Sequence, residues 1–279
     1  MAISQKEKGA AFRALHAQKS AFVIPNPWDV GTARILAALG FKALATTSAG
    51  LAFSLGRRDG EGAVSRDEAL AHARDIVGAS DLPVSADLEN CFGDAPDIVA
   101  ETVRRAADAG LVGCSVEDAT ADPARPIYDF DLAVARVASA VEAARSLPVP
   151  FTLTARAENF LHGRNDLDDT IRRLKAFEAA GADVLYAPGL PGIDAVNSVL
   201  AAVTKPINVL MGSKPLPFTV EQLGVLGVRR VSVGGALYGA ALGEFLRAAR
   251  EIKEKGSFTY AGKVATHAEL SGFMAPKPR

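Results

Sequence analysis

Four acidic residues stand where a bound metal ion could use them. Asp87 and Glu89 are two residues apart at the end of a strand-like segment, so their side chains share one side of extended backbone. Glu117 ends another such segment, and Asp59 lies in the loop after a third. Carboxylates gathered in one place repel one another unless a cation neutralises them, and Mg²⁺ prefers oxygen ligands. The pattern predicts a Mg²⁺ site, with Mn²⁺ as the alternative ion. Asp87 would be a direct ligand, and Asp59, Glu89 and Glu117 would lie near it or hold its waters.

The same acidic residues have a plainer interpretation. Each could cap a helix or pair with Arg57, Arg58 or Arg156. Four acidic positions at three adjacent strand ends favour the metal site over this alternative. Arg156 itself ends an apolar segment, and a guanidinium that faces a metal site suggests bidentate binding of a substrate carboxylate. A role for Arg156 as a salt-bridge partner only is the other possibility.

The segments that must position these residues alternate between two patterns. Eight short apolar runs lack strict alternation, which is typical of parallel strands covered on both faces. Amphipathic patterns separate them; Ser65 with Glu68 predicts a capping box, and Gly110 and Gly181 each predict a helix end. The predicted strands are residues 22–25, 43–47, 84–87, 113–117, 151–155, 184–187, 207–210 and 230–233. The predicted helices are residues 30–39, 66–77, 98–109, 131–146, 167–180, 193–203, 220–226 and 237–255, with a short turn at 51–55.

This alternation implies a parallel sheet with right-handed crossovers. Eight strand–helix pairs favour a closed (β/α)8 TIM-type barrel over an open doubly wound sheet, and such α/β barrels run to ~250 residues as one unit. Catalytic groups in a barrel sit at the C-terminal ends of the strands, which is where the acidic residues fall. We expect one barrel domain over residues 1–256 and a tail over residues 257–279 that packs across a neighbour or frays.

Composition narrows the choice of partners and compartment. The formal net charge of −1 gives no reason to expect nucleic acid or an anionic membrane as partner. No apolar run approaches the ~20 residues of a membrane span, and the charged N-terminus lacks the apolar core of a signal peptide. Cys91 and Cys114 cannot build a disulfide framework, and no zinc-binding spacing exists. A cytoplasmic protein with a small-molecule substrate is the expectation.

Six segments carry a family resemblance, and their order along the chain makes it specific. They are residues 25–29, 47–59, 85–93, 116–118, 154–158 and 179–183. With these segments the sequence resembles the isocitrate lyase and phosphoenolpyruvate mutase superfamily over about residues 20–255. The resemblance implies cleavage or rearrangement of a C–C or C–P bond beside a 2-oxo acid, through an enolate held by Mg²⁺. It also implies a barrel fold in a homo-oligomer, a dimer or more usually a tetramer, with an exchanged eighth helix.

The resemblance also assigns roles to individual positions. Asp87 resembles the principal metal ligand, and Asp59, Glu89 and Glu117 resemble its mostly water-mediated companions. The other matches concern the substrate. Ser48, Ala49 and Gly50 resemble a backbone cradle for its carboxylate, Arg156 resembles the cation on the oxo-acid end, and Asn208 matches a polar position that lyases use for substrate.

The departures from the family pattern limit the activity. Residues 119–129, after the fourth strand, form a short lid without the cysteine and histidine that lyases of the family carry there. Cys91 follows a different strand and is expected to pack. Tyr186 stands where lyases usually have a glutamate and the mutase a histidine. Cleavage of isocitrate or methylisocitrate and phosphonate mutation therefore lose support.

Several positions keep two interpretations. Trp28 either walls the mouth of the pocket or packs under its loop, and the backbone amide of Gly234 either binds an anion or serves loop packing. His162 could touch a ligand, although an exposed loop histidine is the better fit. Retro-aldol cleavage would need a base, and the candidates are Tyr186 and Tyr128. The candidate catalytic residues are Arg156, Glu117 and Tyr186.

The leading hypothesis is a Mg²⁺-dependent lyase or decarboxylase of a small 2-oxo or 2-hydroxy acid or diacid. Decarboxylation of a 2-oxo diacid needs only the metal, Arg156 and a proton for the enolate. Two alternatives stay open. One is C–P chemistry, such as phosphonopyruvate hydrolysis with Thr120 on the lid, and the other is a non-catalytic 2-oxo acid binder.

Overall fold

Eight parallel strands form one sheet in the computed structural model, which describes residues 3–213 and 217–275. From β2 to β8 each strand pairs in parallel with its neighbour in chain order, and β1 pairs in parallel with β8. The predicted TIM-type α/β barrel is therefore confirmed. The strands are β1 (Phe22–Ile24), β2 (Leu44–Ala45), β3 (Val84–Asp87), β4 (Gly113–Glu117), β5 (Thr152–Arg156), β6 (Val184–Tyr186), β7 (Ile207–Leu210) and β8 (Arg230–Ser232).

The barrel is nearly closed, because β1 and β2 share no strand ladder. Two hydrogen bonds bridge this seam instead. The amide of Ala45 donates to the carbonyl of Pro25 at 3.0 Å, and the side chain of Asn26 donates to the carbonyl of Thr46 at 2.9 Å. Asn26 also accepts from the amide of Gly234 at 2.9 Å, so one side chain ties β1, β2 and the loop after β8 together.

The helices cover the outside of the sheet close to the predicted bounds. Side-chain N-caps explain where several helices begin. Ser65 and Glu68 form the predicted capping box of one helix, and Asp29 and Thr219 are the N-caps of two other helices. The turn predicted at residues 51–55 is a helix that begins earlier, at Ser48. The helices are α1 (Gln5–Ala17), α2 (Val30–Ala38), α3 (Ser48–Ser54), α4 (Arg66–Ala79), α5 (Pro96–Asp108), α6 (Phe130–Ser146), α7 (Leu167–Ala179), α8 (Ile193–Ala202), α9 (Val220–Leu226), α10 (Ala236–Lys255) and α11 (His267–Met274).

Helix α1 was not anticipated, and it contributes to a core cluster with the first strand. Phe12 is fully buried and packs edge-on against Phe22 and against His16, with ring centroids 6.4 and 4.8 Å apart. Gly9 lets the helix approach the chain before β5, because a Cβ there would lie 2.3 Å from the carbonyl oxygen of Pro150. The sequence did hold a signal for α1, since Ser4 and Glu7 form a capping box.

Helix α10 has a different environment from the other long helices. None of its residues is buried, and Phe245 and Leu246 are 63% and 46% exposed. The tail does not simply fray, because Arg34 of α2 donates to the carbonyl of Met274 at 3.3 Å. The predicted homo-oligomer, with α10 covered by a partner, remains a proposal. Over residues 3–213 and 217–275, no helix combines the length and apolar character that a membrane crossing requires.

Candidate active site

A cavity of about 240 Å³ opens where the strands end and descends into the barrel. A larger cavity, about 810 Å³, lies beside it between the loop after β3 and the lid. We take the smaller one as the active site, because it holds both Asp87 and Arg156. Of the predicted site residues, Ser48, Ala49, Asp59, Asp87, Arg156, Tyr186, Asn208 and Gly234 line the smaller cavity, and Glu89 and Glu117 line the larger one.

The carboxylate of Asp87 lies at the end of β3 among hydrogen-bond donors from three other parts of the barrel. Its Oδ2 accepts from the amide of Ser48 at 3.3 Å and from the Ser48 hydroxyl at 3.2 Å. Its Oδ1 accepts from Arg156 Nη1 at 3.0 Å and from the Ser115 hydroxyl at 3.3 Å. The loop after β2, the middle of β4 and the end of β5 therefore meet at this one side chain.

Arg156 is surrounded by carboxylates. Its Nη1 lies 3.0 Å from Asp87 and 2.6 Å from Glu117, and its Nε donates to Glu158 at 2.7 Å. The guanidinium carbon also sits 4.9 Å from the ring centroid of Tyr186. Within the described residues, Nη2 donates to no protein atom, and Arg156 lines the cavity. Arg156 is thus an ion-pair partner that also lines the cavity, and its binding of a substrate carboxylate stays a prediction.

Negative charge exceeds positive charge around Asp87. Burial, together with the charges of Asp87 and Asp59, raises the pKa of Glu89 to about 7. Burial and the charge of Asp87 also raise the pKa of Asp59. Burial raises the pKa of Glu117 above its ordinary range even beside Arg156, because three carboxylates share that one guanidinium. This excess of buried acid is what a divalent cation would relieve.

The acidic side chains do not form a closed cage. In the part of the chain that the structure describes, no three His, Cys, Asp or Glu side chains lie close enough together to hold an ion among them. A site of this kind suits Mg²⁺, which keeps several waters and binds through one or two carboxylates plus substrate oxygens. The donor set suits an ion anchored at one carboxylate, and Asp87 is the member of the set that lines the cavity and contacts Arg156.

The loop after β3, residues 88–94, is held in an unusual backbone conformation. Glu89, Cys91 and Phe92 have φ values of 49°, 60° and 62°, in the left-handed region that residues other than glycine rarely adopt. A conformation of this kind persists only when its surroundings impose it, and such residues concentrate at functional sites. The loop places Glu89 beside Asp87.

Arg136 of α6 fixes this loop, and sequence reasoning missed it. Its guanidinium is fully buried and donates to the carbonyl oxygens of Asn90, Gly93 and Asp94. Its CZ atom also lies 4.2 Å from the ring centroid of Tyr128. A signal was present, because Arg136 stands within the apolar stripe of its helix next to Val137, where a charged residue has no solvent to reach.

Asp118 and Arg173 form a second buried support that the sequence did not reveal. Arg173 donates to Asp118 at 2.9 Å, and Asp118 accepts from the amide of Glu158 at 2.7 Å. Burial raises the pKa of Asp118 to about 6, although Arg173 acts to lower it. This pair fixes the backbone of Glu158, which in turn holds the Nε of Arg156.

The predicted carboxylate cradle at the start of α3 has one unoccupied amide. Ser48 donates its amide to Asp87, and Gly50 donates its amide to the hydroxyl of Thr47 at 3.3 Å. The amide of Ala49 makes no hydrogen bond within the described residues, and Ala49 lines the cavity. Gly50 is required by space, because a Cβ there would lie 2.6 Å from the methyl group of Thr47.

The opposite side of the cavity, on β6 to β8, is polar but not acidic. Tyr186 is 7% exposed, and burial raises its pKa to about 12. Asn208 donates to the hydroxyl of Ser232 at 2.9 Å and accepts from Arg230 Nε at 2.9 Å. Arg230 also lines the cavity and did not figure among the predicted site residues.

Other predicted positions have structural contacts. Trp28 packs edge-on against Tyr238 with ring centroids 5.2 Å apart and does not line the cavity. The amide of Gly234 donates to Asn26 rather than facing an anion. Tyr128 donates to Asp94 at 2.6 Å, away from the smaller cavity. Cys91 is fully buried, and burial raises the pKa of its thiol to about 12.

The similarity of this chain to known proteins extends over most of its length. A family model described as phosphoenolpyruvate phosphomutase matches residues 12–253. The oxaloacetate decarboxylase of Ectopseudomonas mendocina is 30% identical over 86% of this chain and 82% of its own length. The 2,3-dimethylmalate lyase of Eubacterium barkeri is 30% identical over 74% of this chain and 73% of its own length.

Solved structures give the same likeness. A protein of Burkholderia cenocepacia J2315, whose assignment as a lyase/mutase is provisional, superposes with a TM-score of 0.94 at 56% identity, over 98% of this chain and 97% of its own. Phosphonopyruvate hydrolase in complex with oxalate and Mg²⁺ superposes with a TM-score of 0.84 over 96% of this chain and 94% of its own. At 21% identity, the second likeness speaks for the fold alone.

Proposed function

The chain belongs to the phosphoenolpyruvate phosphomutase family, and on that premise we propose that it is a Mg²⁺-dependent carbon–carbon lyase or decarboxylase of a small 2-oxo or 2-hydroxy acid. The observation that carries the proposal is the arrangement at Asp87. Its carboxylate is held by Ser48 and Arg156 at the cavity wall, beside two further acids whose pKa values burial and mutual repulsion raise.

The metal would be held by Asp87 directly and by Asp59, Glu89 and Glu117 through water. Mg²⁺ supplies Lewis-acid polarisation of a 2-oxo group and offsets the negative charge of an enolate. A relative in fold, phosphonopyruvate hydrolase, has been solved with both oxalate and Mg²⁺, and oxalate is a planar mimic of the pyruvate enolate. The acid excess around Asp87 favours the same use of a cation here.

The remaining groups of the cavity orient the substrate. Nη2 of Arg156 and the amide of Ala49 are donors without a partner in the described protein, and both residues line the cavity. Two fixed donors on one carboxylate restrict its rotation and place the 2-oxo group toward Asp87, which is the kind of positioning that lowers a barrier. Because Arg156 is held by three carboxylates, its guanidinium needs little reorganisation when charge develops nearby.

Tyr186 suits the protonation step of a decarboxylation. Burial raises its pKa to about 12, so at neutral pH its hydroxyl carries a proton, as the donor in this step must. Loss of CO₂ from a 2-oxo diacid leaves an enolate whose carbon must take up one proton, and Tyr186 lines the cavity proposed to hold the substrate. Retro-aldol cleavage begins with removal of a proton, for which a protonated tyrosine is unsuited. This favours decarboxylation.

Hydrolysis of a C–P bond has less support. The candidate hydroxyl for that reaction, Thr120, donates to the carbonyl of Arg125 at 2.6 Å and lines the larger cavity instead of the one around Asp87. A turnover assay separates the reactions. Oxaloacetate should yield pyruvate and CO₂, whereas phosphonopyruvate hydrolysis would release inorganic phosphate.

Calorimetric titration with oxalate, with and without Mg²⁺, tests the site itself. We expect binding to require Mg²⁺ and to be weakened at least ~100-fold by Asp87→Ala, because the principal ligand is removed. Arg156→Ala should weaken it by ~10- to 100-fold. Asp67→Ala is the matched control, since Asp67 pairs with Arg105 at the surface. Oxalate binding that does not depend on Mg²⁺, or that is unchanged by Asp87→Ala, would refute the proposal. Metal-dependent binding without turnover of any 2-oxo acid would leave the non-catalytic binder.

A further inference from the structure

The cavity contains a second guanidinium, and this one has no acidic partner. Arg230, at the start of β8, is 5% exposed. Its Nε donates to Asn208 Oδ1 at 2.9 Å, and its Nη2 donates to the hydroxyl of Thr154 at 3.1 Å. Its Nη1 is buried without any hydrogen-bond partner in the described structure. Both partners of Arg230 are neutral, so its positive charge is solvated only by dipoles.

The ionisable groups around Arg230 do not supply a counter-charge. Tyr186 is neutral at ordinary pH, since burial raises its pKa to about 12. His16, from α1, is neutral because burial, followed by the charge of Arg230, lowers its pKa to about 3. Arg156 is itself positive and acts to lower the pKa of Arg230, whose largest perturbation is burial. A buried cation in such company is costly unless an anion joins it.

The position of Arg230 relative to Arg156 suggests where that anion lies. Thr154, which Arg230 contacts, and Arg156 are two residues apart on β5, so both side chains point to the same side, about 6.6 Å apart along the strand. Both residues line the same cavity as Arg230. Ser115 and Ser232 also line this cavity, and among the described residues its only acidic lining residues are Asp59 and Asp87.

We propose that Arg230 determines specificity by binding a second carboxylate of the substrate in the interior of the barrel, below the oxo-acid end that Arg156 and Asp87 hold. The inference rests on the proposed function and deepens it, since it selects 2-oxo dicarboxylates over 2-oxo monocarboxylates. Arg230 lines the cavity with a positive charge that no acidic side chain offsets, and a single carboxylate offsets that charge while needing fewer donors than the three oxygens of a phosphonate.

Other buried arginines of the chain show how a structural guanidinium differs. Arg173 is paired with Asp118 at 2.9 Å and Asp169 at 2.8 Å. Arg136 donates to three loop carbonyls that would otherwise lie unpaired. Arg230 neither neutralises an acid nor fixes a loop, and it stands on a cavity wall instead of behind one. The competing explanation is a buried water that accepts from Arg230 Nη1, as His16 Nε2 and Thr152 Oγ1 are also buried without partners; in that case Arg230→Met would leave the ligand preference unchanged.

The test compares stable ligands with and without the second carboxylate. Oxamate presents only the oxo-acid end, whereas N-oxalylglycine and 3,3-difluorooxaloacetate add a carboxylate at two chain lengths. With saturating Mg²⁺, we expect the wild-type protein to bind at least one diacid ~10- to 100-fold more tightly than oxamate. Arg230→Met should abolish that preference and leave oxamate binding within ~3-fold. Arg229→Met is the matched control, because Arg229 contacts only backbone carbonyls in the described structure.

The outcomes are distinct. A wild-type protein that binds oxamate with Mg²⁺ but shows no preference for either diacid would overturn the role of Arg230, whether or not the variant folds. So would a folded Arg230→Met variant, judged by its melting temperature, that keeps the preference or loses oxamate and diacid binding equally. Failure of the proposed function gives another result, namely oxamate binding that is independent of Mg²⁺ in every variant.

Discussion

The two sides of the cavity carry opposite excesses of charge. On β3 to β5, Arg156 is shared by three carboxylates, and acid is in excess. On β7 and β8, Arg230 is bonded only to an amide and a hydroxyl, and positive charge is in excess. A cation would neutralise the excess charge of the acidic side, and an anion would neutralise that of the basic side. The protein's own side chains supply neither. A 2-oxo diacid bound together with Mg²⁺ would provide both the missing cation and the missing anion.

Arg156→Met should cause the largest effect, because it leaves three buried carboxylates without a counter-charge. We expect the free energy of unfolding to fall by ~3–5 kcal/mol at pH 7, as when one partner of a buried ion pair is removed. Urea unfolding checks this. Arg145→Met is the control, since Arg145 pairs with Asp183 at a partly exposed site and should cost ~0–1 kcal/mol. Equal losses for the two variants would contradict the account of the acidic side.

Arg136→Met should loosen the loop after β3 without touching the cavity. Three carbonyl oxygens lose their donor, and Glu89 is then free to leave its left-handed conformation. We expect the affinity for Mg²⁺ to fall by ~10- to 100-fold, as for outer-shell partners of metal ligands. The affinity is measured through metal-dependent oxalate binding on folded protein. Unchanged affinity would mean that the loop holds its shape by itself.

The metal-free protein should lose stability as the pH rises from about 4.5 to about 7. Glu89 has a folded-state pKa of about 7 against an ordinary 4.5, so the native state holds more protons than the unfolded state across that interval. Unfolding curves at several pH values would show the decline, and Glu89→Gln should make it shallower without removing it, because burial also raises the pKa of Asp118, to about 6. Mg²⁺ should also reverse it, because the metal prefers the ionised acid. A stability that rises through this interval equally in both proteins would disprove the assignment.

Asn208→Asp sharpens the comparison with the smallest expected change in stability, about 1 kcal/mol. The new carboxylate would give Arg230 the acidic partner that Arg156 already has. Stability should increase slightly through a charge-assisted hydrogen bond, while the preference for diacids over oxamate disappears. Melting temperatures and the same ligand pairs measure both. A variant that is more stable and still prefers diacids would separate the charge of Arg230 from substrate selection.

The sequence predicted the fold better than the site. The strands β3, β4 and β7 have the bounds that short apolar runs indicated, because parallel strands buried on both faces leave a strong signal. Helix α1 was missed although Ser4 and Glu7 marked its start, since no strand precedes it to establish the repeating pattern.

Site residues at strand ends were accessible to sequence reasoning, because the barrel fold itself says where the strands end. Asp87 and Arg156 were predicted in that way, and the structure places them 3.0 Å apart on the wall of one cavity. Arg136 and Arg230 were not found, since their roles depend on partners that lie far away in the chain. Arg230 contacts Thr154 across 76 positions, and no local pattern records such a contact.

Helix α1 has a consequence for the electrostatics of the interior. Phe12 and His16 pack with Phe22 of β1, and His16 is near enough to Arg230 for the arginine to lower its pKa. By burying two rings beside the start of β1, helix α1 keeps the local dielectric constant low around a charge to which it donates no hydrogen bond. Low dielectric strengthens every electrostatic interaction with that charge. The attraction of the barrel interior for an anion therefore depends partly on helix α1, which precedes the first strand of the barrel.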